Sequence, residues 1–383
     1  MASKRYKICV VTAARSEYGL LRWVIDGLEH DSHCELQLVV TGAHLSSEYG
    51  CTYREIEKDG YRIARMVDMQ LASESTGTIV RSMGRCTMGM ADAFEILRPD
   101  LVVVLGDRYE LLAICSAALV MGIPIAHISG GDVTEGAIDN EIRNAVTMMA
   151  SLHFPGVKDS AENICRMRGD GHNVYVVGEP GLDNFRRLVL WNRAKLADEL
   201  ALPLDTNWVM MSLHPETQQS LDYNVKMVER ILEALRSTEH ITVVMTRANA
   251  DFGGMQINAC LESVALNSPD KFFLFHSLGQ LRYLSLMKEC RCLIGNSSSG
   301  IVEAPYFGIP VINVGGRQKG RHLCDNVISV ENNSAAIQDA LQLVFTTTIL
   351  QDRTPDMYYG DGRTAERIVE HVKRFLTDAE RER

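Results

Sequence analysis

No apolar run in this chain approaches the roughly 20 residues that span a bilayer, and the stretch Tyr6–Thr12 after the basic first residues is too short for a signal h-region. A cytoplasmic protein without a membrane partner is the expectation. Positive charge is in deficit, with 39 Lys plus Arg against 49 Asp plus Glu and a net charge of -10, which disfavours non-specific binding to nucleic acid or to an anionic membrane. Any phosphate must therefore be held by local groups. The 10 cysteines include no Cys-x-x-Cys pair, and the closest two, Cys290 and Cys292, have poor zinc spacing. Reduced buried thiols and no metal are expected. Low-complexity tracts and blocks of like charge are also missing, which leaves an ordinary folded composition of 46 % hydrophobic and 23 % charged residues. Nor does a Gly-x-Gly-x-x-Gly follow the first strand-like run; Thr12-Ala-Ala-Arg-Ser-Glu-Tyr-Gly19 stands there and argues against a nicotinamide dehydrogenase.

At 383 residues the chain exceeds what one hydrophobic core supports, so two domains of roughly 180 residues are expected. Short β-branched runs alternate with helical stretches, the mark of parallel strands joined by crossover helices. The first half offers runs at 6–12, 35–41, 100–105, 124–128, 152–154 and 173–177, and the second at 208–213, 241–246, 271–275, 292–295, 310–314 and 326–330. Their near-continuous hydrophobicity predicts strands covered on both faces, hence an α/β chain of two Rossmann-like doubly wound domains. The boundaries are placed at 1–180 and 181–362, with 179–206 as the connection. A last amphipathic helix over 363–376, with Ala365, Ile368, Val369, Val372 and Phe375 at helical spacing, is expected to pack back on the first domain. Polar, glycine-containing segments follow the strands, where open parallel sheets bind ligands, so function is expected in the cleft between the halves.

Gly295-Asn-Ser-Ser-Ser-Gly300 follows a strand-like run and opens a helical one through Ile301-Val-Glu-Ala. Backbone N–H groups and the hydroxyls of Ser297, Ser298 and Ser299 at a helix start suit a diphosphate; a serine N-cap run with no ligand is the plainer alternative. Glu303, one turn on, suits vicinal ribose hydroxyls. Gly106-Asp-Arg-Tyr-Glu110 sets Asp107 and Arg108 at the end of a strongly apolar run, and the next strand leads into His127 to Arg143, a loop carrying Asp132, Glu135, Asp139 and Glu141. Several acids near arginines suit proton transfer at carbon, because crowding and partial burial spread carboxylate pKa values. Asp107 and Asp139 lead that reading and Asp132 follows; a plain helix cap would also account for Asp139. Ser212-Leu-His-Pro-Glu216 ends the first strand of the second half, a placement that favours a catalytic or phosphate role for His214 over the structural one usual for a lone histidine. Arg15, Arg317 and Arg321 add positive charge.

Taken together, these residues resemble the UDP-N-acetylglucosamine 2-epimerases, and within them the hydrolysing branch that feeds sialic, legionaminic and related nonulosonic acids. The resemblance spans nearly the whole chain. It rests on Arg15-Ser-Glu-Tyr-Gly19, Thr41-Gly-Ala-His44, Gly106 to Glu110, His127 to Arg143, His214-Pro-Glu216, Asn249-Ala-Asp251, Gly295 to Gly300 and Gly315-Gly-Arg-Gln-Lys-Gly-Arg321, in that order. It implies a glycosyltransferase-B-like fold with UDP mainly against the second domain, a UDP-sugar as small-molecule partner, and no cofactor; a homo-oligomer, dimer or tetramer, is expected. It also implies a mechanism in which a base removes the C2 proton while UDP leaves C1, and water then adds across the resulting 2-acetamidoglycal with C2 protonated on the other face. Carried over by position, Asp107 and Asp139 match active-site acids and His214 a cleft histidine. Arg15, Glu17, His44, Arg108 and Arg143 fall on the sugar side; Asn249, Asn296, Ser297, Ser298, Ser299, Gly300, Glu303, Arg317 and Arg321 complete the expected substrate contacts.

One departure stands out. Where some relatives carry a catalytic glutamate two residues after the loop histidine, this sequence has Ser129, so Asp132 or Asp139 is expected to take over that carboxylate's role. The small Ser129 also leaves room for an acetamido group at C4 of the sugar. UDP-N-acetylglucosamine comes first as substrate, with UDP-N,N'-diacetylbacillosamine close behind. The rivals are a non-hydrolysing epimerase, which typically has Arg-Pro-Glu where Arg15-Ser-Glu-Tyr stands, a glycosyltransferase of the same fold, and a sugar-nucleotide sensor without turnover. The dense acid loop speaks against the transferase.

Overall fold

The computed structural model describes residues 5–381 apart from 48, 72–75, 134–137, 217–218, 249–253 and 347–354. The described chain forms two compact units, one built on Met1–Val133, Ile138–Asn184 and Gly360–Arg383, the other on Phe185–Tyr359. In the first, β1 (Tyr6–Thr12), α1 (Arg15–Glu29), β2 (Cys34–Thr41), α2 (Tyr53–Lys58), β3 (Ile63–Val67), α3 (Thr76–Leu97), β4 (Leu101–Leu105), α4 (Glu110–Val120), β5 (Ile125–Ile128), α5 (Asp139–Met149), β6 (Leu152–Phe154) and α6 (Lys158–Arg168) alternate. The chain leaves this unit within α7 (Asp183–Arg187). The second unit carries α8 (Arg193–Leu200), β7 (Asn207–Ser212), α9 (Leu221–Ser237), β8 (Ile241–Thr246), α10 (Gly254–Asn267), β9 (Phe272–Phe275), α11 (Gly279–Glu289), β10 (Cys292–Gly295), α12 (Ser298–Val302), β11 (Val311–Val314), β12 (Val327–Val330) and α13 (Ser334–Thr346). The last helix, α14 (Thr364–Arg381), belongs to the first unit.

Each unit holds a six-stranded sheet, ordered β3-β2-β1-β4-β5-β6 and β12-β11-β10-β7-β8-β9, with every strand pair parallel. Both orders are the doubly wound one, in which the winding direction reverses between the first and fourth strands of the unit. That reversal opens a crevice at the strands' carboxyl ends, next to β1 and β4 in one unit and β7 and β10 in the other.

Period-two alternation explains why these strands are apolar throughout. Along β1, Ile8 and Val10 enter a core shared with α1 and α14, while Cys9 and Val11 enter another shared with α3, α4 and α5. Along β7, Val209 and Met211 face α9 and α13, and Trp208 and Met210 face α8 and α11. Helix α14 buries Ala365, Ile368, Val369 and Val372 in the first core, each of the larger ones stabilising by roughly 1.5–3 kcal/mol. Its start is capped from afar: both carboxylate oxygens of Asp183 accept 2.8 Å hydrogen bonds from the Thr364 and Ala365 amides.

Several sequence expectations need correction. Residues 173–177 form no strand; Val174 makes only an isolated bridge to His153. The sixth strand is β3, an edge strand whose Arg65 and Met66 are exposed, so its pattern lacks the continuous hydrophobicity of a doubly covered strand. Within the connection 179–206, Asn192 accepts from the Lys195 amide and caps α8, a helix for which the sequence reading made no prediction. The helix after Gly295 is shorter than expected. It ends at Val302 and gives way to a 3-10 turn at Ala304–Phe307, since Pro305 has no N–H to continue the helix and disfavours it one residue earlier. All 10 cysteines are free thiols. Among the described residues no helix is long and apolar enough to cross a membrane.

Candidate active site

In the first unit the β4 end and the acid loop meet at one arginine. Arg143, in the second turn of α5 and 3 % exposed, donates to the Asp107 carboxylate and, at 2.8 Å, to the Asp132 carbonyl. Asp139 opens α5, four residues before Arg143, so the two share a helix face. The Asp132 carboxylate is committed elsewhere, accepting from the Ser160 hydroxyl at 2.6 Å. Below this group, the His127 Nε2–H donates to the Gly106 carbonyl at 2.8 Å, which leaves Nδ1 to accept from the Thr147 hydroxyl at 3.2 Å. Burial lowers the His127 pKa to about 4, so the ring is a neutral strut under the strand end. Ser129 follows with φ 59, a left-handed backbone costly for a residue with a Cβ. Gly131 cannot carry a side chain at all, because a Cβ would lie 2.1 Å from the Ser160 carbonyl oxygen.

The β1 end supplies a second charged group. Glu17 is 6 % exposed; its Oε2 accepts from the Ala13 amide at 2.7 Å, and Oε1 has no hydrogen-bond partner among the described residues. Arg108 lies 3.8 Å from Glu17 and donates to fully buried Glu110 at 2.9 and 3.2 Å. Desolvation outweighs the nearby Arg108 and raises the Glu17 pKa to about 7. His44 is completely buried with its ring nitrogens 3.1 and 2.8 Å from the Thr12 and Thr52 hydroxyls, and burial lowers its pKa to about 4. It shapes the loop and offers no ring nitrogen to a ligand. Arg15 stands at the start of α1, half exposed and 4.0 Å from Glu55.

The second unit's group centres on Asn296. Its side-chain oxygen accepts from the His214 amide at 2.8 Å and its NH2 donates to the His214 carbonyl at 2.9 Å, so an amide expected to meet substrate is spent on holding the His214 strand end. Burial, with Arg317 second, lowers the His214 pKa to about 4. The imidazole is therefore neutral at pH 7, which favours a proton-accepting or neutral hydrogen-bonding role over that of a phosphate cation. Gly295 (φ 139) lets β10 pass Ser212, whose carbonyl oxygen would lie 1.9 Å from a Cβ. Ser297 caps α12 by accepting from the Ser299 amide at 3.4 Å, and the Ser299 hydroxyl donates to Glu303. Ser298 is the first residue of α12 and partly exposed. Gly300 differs from expectation: its amide donates to the Ser297 carbonyl at 3.1 Å, and a Cβ there would lie 3.0 Å from Val311 and 3.1 Å from Leu293. It is a packing glycine. With α12 only five residues long, hydroxyls rather than a long helix dipole dominate the cradle. Arg321 lies in the turn after Arg317, its amide donating to the Gln318 carbonyl at 3.2 Å, and Asn249 lies outside the described residues.

Two residues escaped the sequence reading. Tyr283 of α11 places its hydroxyl within reach of Ser299, Ser212 and Ser297; burial, then the neighbouring Glu303, pushes its pKa up to about 12. An aromatic at helical spacing reads as core, so no local signal marked it. Burial likewise raises the Glu303 carboxyl to about 7. The other is Glu216, 8 % exposed, which accepts from the amides of Gly316 at 2.8 Å and Arg317 at 3.3 Å.

Comparison with known proteins gives the family. The UDP-N-acetylglucosamine 2-epimerase family matches residues 26–373. The chain belongs to that family. It is 38 % identical over 86 % of its length, and 85 % of the relative's, to a GDP/UDP-N,N'-diacetylbacillosamine 2-epimerase (hydrolyzing) of Campylobacter jejuni. To the UDP-N,N'-diacetylbacillosamine 2-epimerase (hydrolyzing) of Legionella pneumophila it is 30 % identical over 96 % of the chain and 95 % of the relative. Its fold matches the crystal structure of the UDP-GlcNAc 2-epimerase from Neisseria meningitidis bound to UDP-GlcNAc with a TM-score of 0.81, at 17 % identity over 96 % of this chain and 100 % of that one. As an epimerase-family fold, the chain combines the two doubly wound units of a glycosyltransferase-B-like architecture with an acid group on one unit and a hydroxyl group on the other.

Proposed function

We propose that this chain is a hydrolysing 2-epimerase that converts a UDP-linked 2-acetamido sugar to the free manno-configured sugar and UDP. The observation that carries this is the 38 % identity over 86 % of the chain to an enzyme of that name. The acids and the hydroxyl cradle are the groups such a reaction requires. In the first step a carboxylate takes the C2 proton, the C1–oxygen bond breaks, and UDP leaves with the electron pair, giving a 2-acetamidoglycal. In the second, the oxygen of water bonds to C1 and gives up one proton, a protonated carboxyl delivers a proton to C2 from the opposite face, and the proton taken in the first step leaves to solvent. Atoms and charge balance without an oxidant or reductant.

Asp107 and Asp139 are the proposed proton carriers. Arg143 donates to the Asp107 carboxylate and follows Asp139 by one turn of α5, while Asp132 is held by Ser160 and supports the loop. Ser298, Ser299 and Arg317 are proposed for the diphosphate, Glu303 for the ribose, and His214 for the leaving oxygen or its proton. Arg15 and Arg108 are proposed for the sugar side. Between candidate sugars, the named relatives shift preference to UDP-N,N'-diacetylbacillosamine, and the small Ser129 is compatible with its C4 acetamido group. Incubation with UDP-N,N'-diacetylbacillosamine and UDP-N-acetylglucosamine in deuterated water tests the proposal. The expected product is a free manno sugar with deuterium at C2 and stoichiometric UDP; an intact UDP-linked epimer, or UDP release without C2 exchange, overturns it.

A further inference from the structure

We infer that Glu216 is a positioning residue for Arg317, closing a ring of hydrogen bonds that holds Arg317 and His214 in one fixed arrangement. The inference rests on the nucleotide role proposed for Arg317. The ring can be followed bond by bond within the second unit. The His214 amide and carbonyl are paired with the Asn296 side chain at 2.8 and 2.9 Å. The Asn296 carbonyl accepts from the Arg317 guanidinium at 3.0 Å and from the Gln318 side-chain amide at 2.8 Å. The Arg317 amide returns to the Glu216 carboxylate at 3.3 Å, with the Gly316 amide beside it at 2.8 Å, and Glu216 follows His214 by two residues. Asn224 of α9 anchors this corner, accepting from the Glu216 amide at 2.8 Å and donating to the Glu216 carbonyl at 3.2 Å.

Two features set this apart from an incidental contact. The loop presents the successive amides of Gly316 and Arg317, an arrangement that binds anions and that a glycine-rich segment beside a diphosphate site would be expected to offer to phosphate. Here an internal carboxylate occupies it, so the loop's amides are committed and Arg317 is left to contribute its side chain. Gly315, at φ 86, is also matched to the carboxylate, since a Cβ there would lie 2.3 Å from Glu216 Oε1. Asn296, Gln318 and Glu216 are 1, 4 and 8 % exposed, and in such burial the loss of one partner leaves others unsatisfied.

A double-mutant cycle with amide exchange as a second readout tests the inference. Glu216→Ala is expected to weaken UDP binding by about tenfold, the usual consequence of orphaning buried donors beside a site. Glu216→Gln, which keeps one acceptor oxygen, is expected to lose less. In an Arg317→Ala background, Glu216→Ala is expected to cost almost nothing more, because the two act through one contact. Backbone amides of Gly316 and Arg317 should exchange faster in Glu216→Ala with or without nucleotide. Unchanged UDP affinity, an equal loss in the Arg317→Ala background, or wild-type exchange at those amides each overturns the inference. Should Glu216→Ala fail to fold, the same criteria apply to Glu216→Gln. A wild-type chain that binds no UDP refutes the nucleotide role instead, and the amide exchange still decides for or against the ring.

Discussion

Arg143 holds Asp107 by its carboxylate and Asp132 by its carbonyl, so the three residues cannot be interpreted one at a time. Asp107→Asn keeps an oxygen for Arg143 but cannot carry a proton as a carboxylate does; UDP release is expected to fall by about 10²–10⁴-fold. Asp139→Asn should fall comparably and Asp132→Asn far less, and a large loss in Asp132→Asn with none in Asp139→Asn would reverse their roles. Glu17 offers a check through pH. Its pKa rises from an unfolded value near 4.5 to about 7 in the fold, so folding favours the protonated carboxyl. That contribution is fully present below 4.5 and is lost as pH rises through 7. Glu17→Gln, which mimics the neutral form, should match wild-type stability at pH 4.5 and exceed it at pH 8; denaturant midpoints at the two values decide this. Of these residues, Asp107, Asp139 and His214 were legible because strand ends and acid density mark them. Glu216, Tyr283 and the commitments of His44 and Asn296 were not, since hydrogen bonds between separate segments, 32 positions apart for Thr12 and His44 and 100 for Glu216 and Gly316, leave no trace in local spacing.

Helix α14 shows how an element can be legible in its face yet not in its anchorage. Ile368, Val369 and Val372 recur at helical spacing, and that stripe is what the first core receives. The cap is remote: Asp183, 181 and 182 residues away in sequence from Thr364 and Ala365, meets their amides. Asp183→Ala is expected to cost about 1–2 kcal/mol by removing a charged cap, seen as a lowered melting temperature with UDP release retained per folded molecule. An unchanged melting temperature would show that the cap contributes nothing net. The shortness of α12 teaches the same lesson in reverse. The helix expected through Ala304 stops at Val302, because Pro305 acts on the residues before it. Strand β3 escaped because an edge strand covered on one side need not be apolar throughout.

Across the whole molecule, buried histidines set the response to acid. His44, His127 and His214 are lowered to about 4 and His153 to about 3, chiefly by burial. A histidine depressed in the fold contributes stability that is present above its unfolded value near 6.5 and is lost as pH falls toward the folded value. Glu17 and Glu303 act with the opposite sign over part of that range. With four histidines against two glutamates, net stability should fall by something on the order of 2 kcal/mol per pH unit between 6.5 and 5. Denaturant titrations at those pH values would contradict the assignment if the midpoint stayed constant. UDP should act the other way: at a hundredfold excess over its dissociation constant it is expected to add about 2.7 kcal/mol to folding stability, read as a rise in melting temperature.

The doubly wound character of both sheets, the strand ends that bear the candidate residues and the membership of the epimerase family were determined by the amino-acid sequence alone. Apolar periodicity and glycine placement act over a few residues and therefore survive in one dimension. Only the tertiary structure decided which polar groups remain for a ligand. It spends Asn296, Gly300 and His44 on the protein itself, sets a carboxylate against the amides of Gly316 and Arg317, and leaves the Glu17 carboxyl desolvated. Those outcomes depend on burial and on partners brought together from distant segments, and both exist only once the sheets have formed.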